Sequence, residues 1–170
     1  MSQSLIENFK GYVNIHYSDN NITTNNICSN LCCSISCLHR ALIHNYGYSI
    51  MKYVEYFRIL KSIELIGKGE KKVYYMVGYN SPSVFSKSFL RITGCNARCF
   101  CPYQLIDHKS IIKTALNEAT ENPKKAVENI IKDISIKTIF SKRQKKTKKT
   151  RKDNLKTKKD KSKINLLKKF

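Results

Sequence analysis

At 170 residues the chain is long enough for one modest hydrophobic core and an appendage. Lysine and arginine number 32 against 12 acidic residues, and the resulting +20 favours a polyanionic partner. No apolar run approaches the ~20 residues of a membrane span and no signal-peptide core opens the chain, so the expected setting is the cytoplasm, without membrane contact.

Leu5, Phe9, Tyr12 and Val13 recur at helical spacing and predict an amphipathic helix over 3–17. Ser18-Asp19-Asn20-Asn21 is a polar turn. Helices are expected at about 23–31 and 35–46, the second capped by Ser34 and ended by Gly47. Ser49 is positioned to cap the next helix, whose Ile50, Tyr53, Val54, Phe57, Leu60 and Ile66 point to burial and which Gly67 and Gly69 terminate.

The segment from Gly78 to Gly94 is the most informative in the chain. Gly78 can take the positive φ that a sharp turn demands. Ser81 suits a helix cap, and Pro82 suits the first helical position, where a missing N–H costs nothing. Phe85 and Phe89, four apart, bury one face and leave Ser83, Val84, Ser86 and Lys87 toward solvent. A short helix after a turn, anchored by aromatics and showing small polar and basic side chains, suits the DNA major groove.

Beyond Tyr103, Ile111, Ile112, Ala115, Leu116 and Ala119 form one helical stripe. Asn122-Pro123 restarts a helix with Ala126, Val127, Ile130, Ile131 and Ile134 on its apolar side. Residues 140–170 hold 15 basic and two acidic side chains, so +13 lies in this tail and +7 in residues 1–139. With little to bury, the tail is expected to be disordered, adding sequence-independent affinity through phosphate neutralisation or serving as a solvated extension.

Gly78, Tyr79, Ser83, Phe85, Phe89 and Gly94 fall at the spacing of a family signature, and residues 3–103 as a whole resemble the DNA-binding domain of AraC/XylS-type transcriptional regulators. Ile22, Ile27, Ser34, Leu38, Arg40, Gly47, Tyr53, Arg58, Leu65 and Ile66 sit where that family's first unit and linker helix place matching residues. The resemblance implies an all-α fold: two helix-turn-helix subdomains joined by a long linker helix, here with a helical extension and a disordered basic tail. The expected organisation is a DNA-binding domain over 1–103, a helical extension over 104–139 and the Lys-rich tail over 140–170. The distance from Arg58 to Gly78 is shorter than the family usually shows. Tyr74 stands where a small alanine normally packs, and Ala97 and Cys101 replace a usual proline and arginine.

In the first unit, Ser36, His39 and Arg40 face away from Leu38 and Leu42, and the resemblance assigns them base and phosphate contacts. Arginine is well suited to guanine through its fork on O6 and N7, although Arg40 could instead pair with a neighbour. In the second unit the matching positions are Pro82, Ser83, Val84, Ser86 and Lys87. Ser83 fits a capping role as well as a base contact, Val84 suits a thymine methyl, and Lys87 suits a phosphate.

Cys28, Cys32, Cys33 and Cys37 cluster in the first unit, and Cys95, Cys99 and Cys101 follow the second. Neither cluster has the paired two-residue spacing of a zinc site, so reduced structural thiols are expected and no metal. No glycine-rich phosphate loop and no nucleophile with its base appear, so neither an enzyme nor a cofactor is expected. The sequence therefore points to a sequence-specific, DNA-binding transcriptional regulator. The resemblance makes it an activator that contacts double-stranded DNA and RNA polymerase or a protein co-regulator, with no ligand-binding domain in evidence. The alternatives are a degenerate fold of the same type acting as a protein-interaction module, and a non-specific nucleic-acid-binding protein driven by its tail.

Overall fold

The computed structural model describes residues 2–97 and 121–132, with side chains from residue 4 onward. The stripe from Ile111 to Ala119, the tail over 140–170, Cys99 and Cys101 lie outside the described residues.

Every regular element among the described residues is a helix, and the elements follow the hydrophobic periodicity closely. Helix α1 (Ser2–His16) buries Ile6, Phe9 and Val13. After the polar turn, α2 (Thr24–Asn30) starts at Thr23, whose side chain accepts a hydrogen bond from the Asn26 N–H. Helix α3 (Ile35–Tyr46) is capped by Ser34, which accepts from the Cys37 N–H, and ends at Gly47 with φ 74°. The link between α2 and α3 is a Schellman turn. Cys32 takes the left-handed position at φ 48°, and the Cys33 and Cys32 N–H groups return to the carbonyls of Cys28 and Ser29 at 3.1 and 3.3 Å. These three helices enclose a first core with Ile27, Leu38, Leu42 and, from the next helix, Ile50, Tyr53, Val54 and Phe57.

That next helix, α4 (Ile50–Gly67), is the linker, and it packs against α3 at one end and against two further helices at the other. Its burial pattern is wider than expected: Ile59, Ser62 and Ile63 are buried as well, while Ile66 is only half-buried. A helix that touches both subdomains has an apolar stripe on more than one side, which blurs the single stripe read from sequence. Ser49 occupies the cap position but makes no side-chain cap hydrogen bond.

The second unit is the smaller. Helix α5 (Val73–Met76) is a single turn, begun by Lys72 in the left-handed region at φ 55°. The short reach between Arg58 and Gly78 thus coincides with a first helix of four residues, against seven in α2. Tyr74 is accommodated half-buried. Helix α6 (Pro82–Thr93) starts at Ser81, which accepts from the Val84 N–H, and closes at Gly94 with φ 75°. Tyr79, Phe85 and Phe89 form a run of ring contacts at 5.4 and 5.6 Å that anchors its inner face.

Residues 123–132 form a further helix, α7, with Ala126, Val127 and Ile130 of the expected stripe buried beside Pro123, and Ile131 half-buried, while Ile134 lies outside the described residues. It is tied to the first unit by polar contacts. Lys10, only 7% exposed, pairs with Glu121 at 3.0 Å and Glu7 at 2.9 Å, and the Tyr48 hydroxyl donates to Asn122 Oδ1 at 2.9 Å. Burial alone would weaken the Lys10 charge, but the two carboxylates outweigh it and its pKa is raised.

Candidate nucleic-acid interface

The recognition helices α3 and α6 are the same device written twice, 47 residues apart. Each has 12 residues, and the N-cap serines are 34 and 81. The capped N–H groups belong to residues 37 and 84, and the closing glycines are 47 and 94, donating to the carbonyls of Ile43 and Leu90. The inward anchors also correspond: Leu38 with Phe85, and Leu42 with Phe89. Sequence comparison of the two units misses this repeat because aliphatic anchors in one become aromatic in the other, while capping and termination keep their chemistry.

All the residues expected on the first helix face, Ser36, His39 and Arg40, are exposed on α3. Arg40 donates from Nε to the Ser36 carbonyl at 3.4 Å, one turn back on its own helix, and it has no carboxylate partner among the described residues. On α6, Pro82, Ser83, Val84, Ser86 and Lys87 are likewise exposed. Ser81 does the capping, so the Ser83 hydroxyl is not used for it. Neither helix contains an acidic residue.

Four residues on these faces escaped the sequence reading. Ile43 and His44 on α3, and Leu90 and Arg91 on α6, are all exposed one turn beyond Arg40 and Lys87. Helical periodicity carried a further turn would have found them. Arg91 differs from His44 in being held: its guanidinium forms an ion pair with Glu55 of the linker helix, which also pairs with Lys52 at 2.9 Å.

A knot around Arg58 ties the units together. From α4, Arg58 donates to the Tyr17 carbonyl at 2.8 Å and the Asp19 carbonyl at 2.6 Å, and its guanidinium lies 5.5 Å from the centre of the Tyr79 ring. Burial lowers its pKa, while Tyr79, Asp19 and Glu55 oppose that shift. Gly78, at φ 81°, sits against the same knot, and Asn20 donates to Asn80 at 2.6 Å across the two turns. The signature glycine thus serves both the turn and a close approach of the second unit to the first.

Cys28 is buried and Cys33 half-buried, held at the two ends of the Schellman turn, while Cys32 and Cys37 are exposed. Burial and the neighbouring Cys33 thiol push the Cys28 thiol up. Among the described residues no three His, Cys, Asp or Glu side chains are arranged to hold a metal ion. Nor is any helix there long and apolar enough to cross a membrane.

Two capped helix-turn-helix units on one linker helix define a DNA-binding class of domain. Residues 27–100 match the family described as "Helix-turn-helix domain", and the match is of the AraC type. Among solved structures, the chain is similar to the C-terminal domain of AraT, a response regulator from Geobacillus stearothermophilus. The TM-score is 0.54 at 22% identity, over 56% of this chain and 82% of that one. No curated protein matches the chain.

Proposed function

We propose that the protein is a sequence-specific transcriptional regulator that reads two major-groove segments with one chain, Ser36, His39 and Arg40 contacting one and Pro82, Ser83, Val84, Ser86 and Lys87 the other. The observation that carries this reading is the 47-residue repeat of cap, anchors and closing glycine in α3 and α6. Each presents an acid-free face of hydroxyl and basic side chains, which is the chemistry of phosphate and base-edge recognition. The tail, with +13 over residues 140–170, adds phosphate contacts without sequence preference. The described helices offer a binding surface, so the role is recognition rather than catalysis. The resemblance favours activation through RNA polymerase or a protein co-regulator, in the cytoplasm.

Two unlike units in one chain require an asymmetric site, its halves one helical turn or roughly 34 Å apart on one face of the duplex. Selection of bound sequences from a random library, followed by footprinting and a stoichiometry measurement, tests this. One chain on an asymmetric site is the expected result. A palindromic site filled by a dimer, or no sequence preference at all, would overturn it, the latter in favour of tail-driven binding.

A further inference from the structure

We infer that Ile43 of α3 and Leu90 of α6 are specificity-determining residues that read thymine methyl groups, one in each major-groove segment. The inference rests on the DNA-reading proposal above and extends it to residues that the sequence pattern had not marked.

Ile43 and Leu90 are exposed, at 44% and 46%, as are Ile35 and Val84 on the same helices, while the anchors Leu38, Leu42, Phe85 and Phe89 turn inward. At about 100° per residue, Ile43 lies only ~20° from Ser36 around the helix axis and ~60° from Arg40. Leu90 stands in the same relation to Ser83 and Lys87. Each aliphatic side chain therefore lies on the outward face, beside the residues assigned to base and phosphate contacts. Val84, the apolar residue singled out by sequence, lies as far from Lys87 on the other side (~60°), but its counterpart on α3 is Cys37, so only the Ile43 and Leu90 position is aliphatic on both helices.

The two residues also occupy one register, 47 apart, and each supplies the carbonyl that accepts from the closing glycine of its helix. Neighbouring positions diverge between the helices, His39 against Ser86 and Cys37 against Val84, yet this one keeps an exposed four-carbon aliphatic group. An exposed apolar group on a basic, acid-free face gains only when something apolar covers it there. On a base edge in the major groove that group is the C5 methyl of thymine. The surrounding charge suits nucleic acid and not an acid-poor apolar partner surface.

The test uses the full chain and duplexes carrying its selected site, with each thymine replaced in turn by deoxyuridine, which removes only the methyl. Burial of one methyl corresponds to about fourfold in affinity. One deoxyuridine in each half of the site is expected to weaken wild-type binding by about that factor. Ile43→Ala should become indifferent to deoxyuridine in its own half while staying sensitive in the other, Leu90→Ala should behave reciprocally, and Ile43→Val should retain an intermediate response. Thermal melts run in parallel identify any variant that has lost its fold, and the Val variant then carries the comparison.

A wild type that selects a definite site yet ignores every deoxyuridine would overturn the inference and leave the DNA-reading proposal standing. Undiminished deoxyuridine sensitivity in Ile43→Ala and Leu90→Ala would also overturn it. Unchanged DNA binding by these variants with lost transcriptional output would reassign the two side chains to a protein contact. Failure to select any sequence would strike the DNA-reading proposal itself.

Discussion

Replacing Gly78 by alanine tests whether the turn of the second unit is held by its close approach to the first. Gly78 has φ 81°, and an added Cβ would lie 2.8 Å from the Tyr17 carbonyl oxygen, 2.9 Å from that of Ser18 and 2.8 Å from Arg58 Nη2. Left-handed backbone costs an L-residue about 1–2 kcal/mol. Relief of the contact must move the Tyr17–Ser18 backbone or Arg58, and either movement loosens the charged hydrogen bond between them, worth about 1.5–3 kcal/mol. The expected loss is therefore roughly 2.5–5 kcal/mol.

Gly94 supplies the control. It has φ 75° but nothing within 4 Å of an added Cβ, so Gly94→Ala should cost only the backbone part, about 1–2 kcal/mol. Urea unfolding followed by circular dichroism measures both, with m held common and the midpoints compared. Gly78→Ala should unfold at markedly lower urea than Gly94→Ala. Equal losses in the two variants would refute the close-approach argument and leave Gly78 as a turn residue only.

Three further outcomes are expected elsewhere in the chain. Arg40→Ala should weaken the specific complex by roughly 1–3 kcal/mol and relax preference at one base position, measured by titration on matched and mismatched sites. Truncation after Ile139 should flatten the slope of log K against log salt by several units, at about 0.9 per phosphate, while leaving the ratio of specific to random affinity nearly intact. An unchanged slope would make the tail a bystander. Lys10 has a raised pKa, so its pairs with Glu7 and Glu121 contribute stability that is full below the ordinary lysine value of 10.5 and is lost as pH rises through the higher folded value. Urea midpoints above pH 10.5 should consequently fall less steeply in Lys10→Met than in the wild type.

The elements and caps of the two units were legible because local chemistry specifies them. Ser34, Ser81, Pro82 and Gly47 act within a turn of their own position, and the predicted roles of all four hold. The linker helix was only partly legible, since burial of Ile59, Ser62 and Ile63 depends on a second partner that periodicity cannot supply. The Arg58 knot was not legible at all: it joins residues 39 to 41 positions apart through backbone carbonyls, which leave no trace in side-chain pattern. The outward residues Ile43 and Leu90 were passed over for a different reason. An aliphatic residue in a helix reads as core until its neighbours fix which way the helix faces.

The two recognition helices present the same geometry but unequal charge, and this sets how they should share the reading. On α3, Arg40 bonds to its own helix backbone and has no carboxylate partner among the described residues, and His39 and His44 are exposed beside it. On α6 the corresponding cations are Lys87 and Arg91, and Arg91 is held by Glu55 on the linker. A guanidinium paired with a carboxylate must give up that bond before it can reach a base, whereas Lys87 offers a flexible point charge suited to phosphate. Discrimination should therefore concentrate in the half of the site under α3, and the half under α6 should tolerate substitution outside the thymine assigned to Leu90. A base-by-base affinity scan of the selected site reads this directly. Glu55→Gln, which frees Arg91, should add preference in the second half; an evenly divided scan, or no response to that variant, would show that the Arg91–Glu55 pair does not limit what α6 reads.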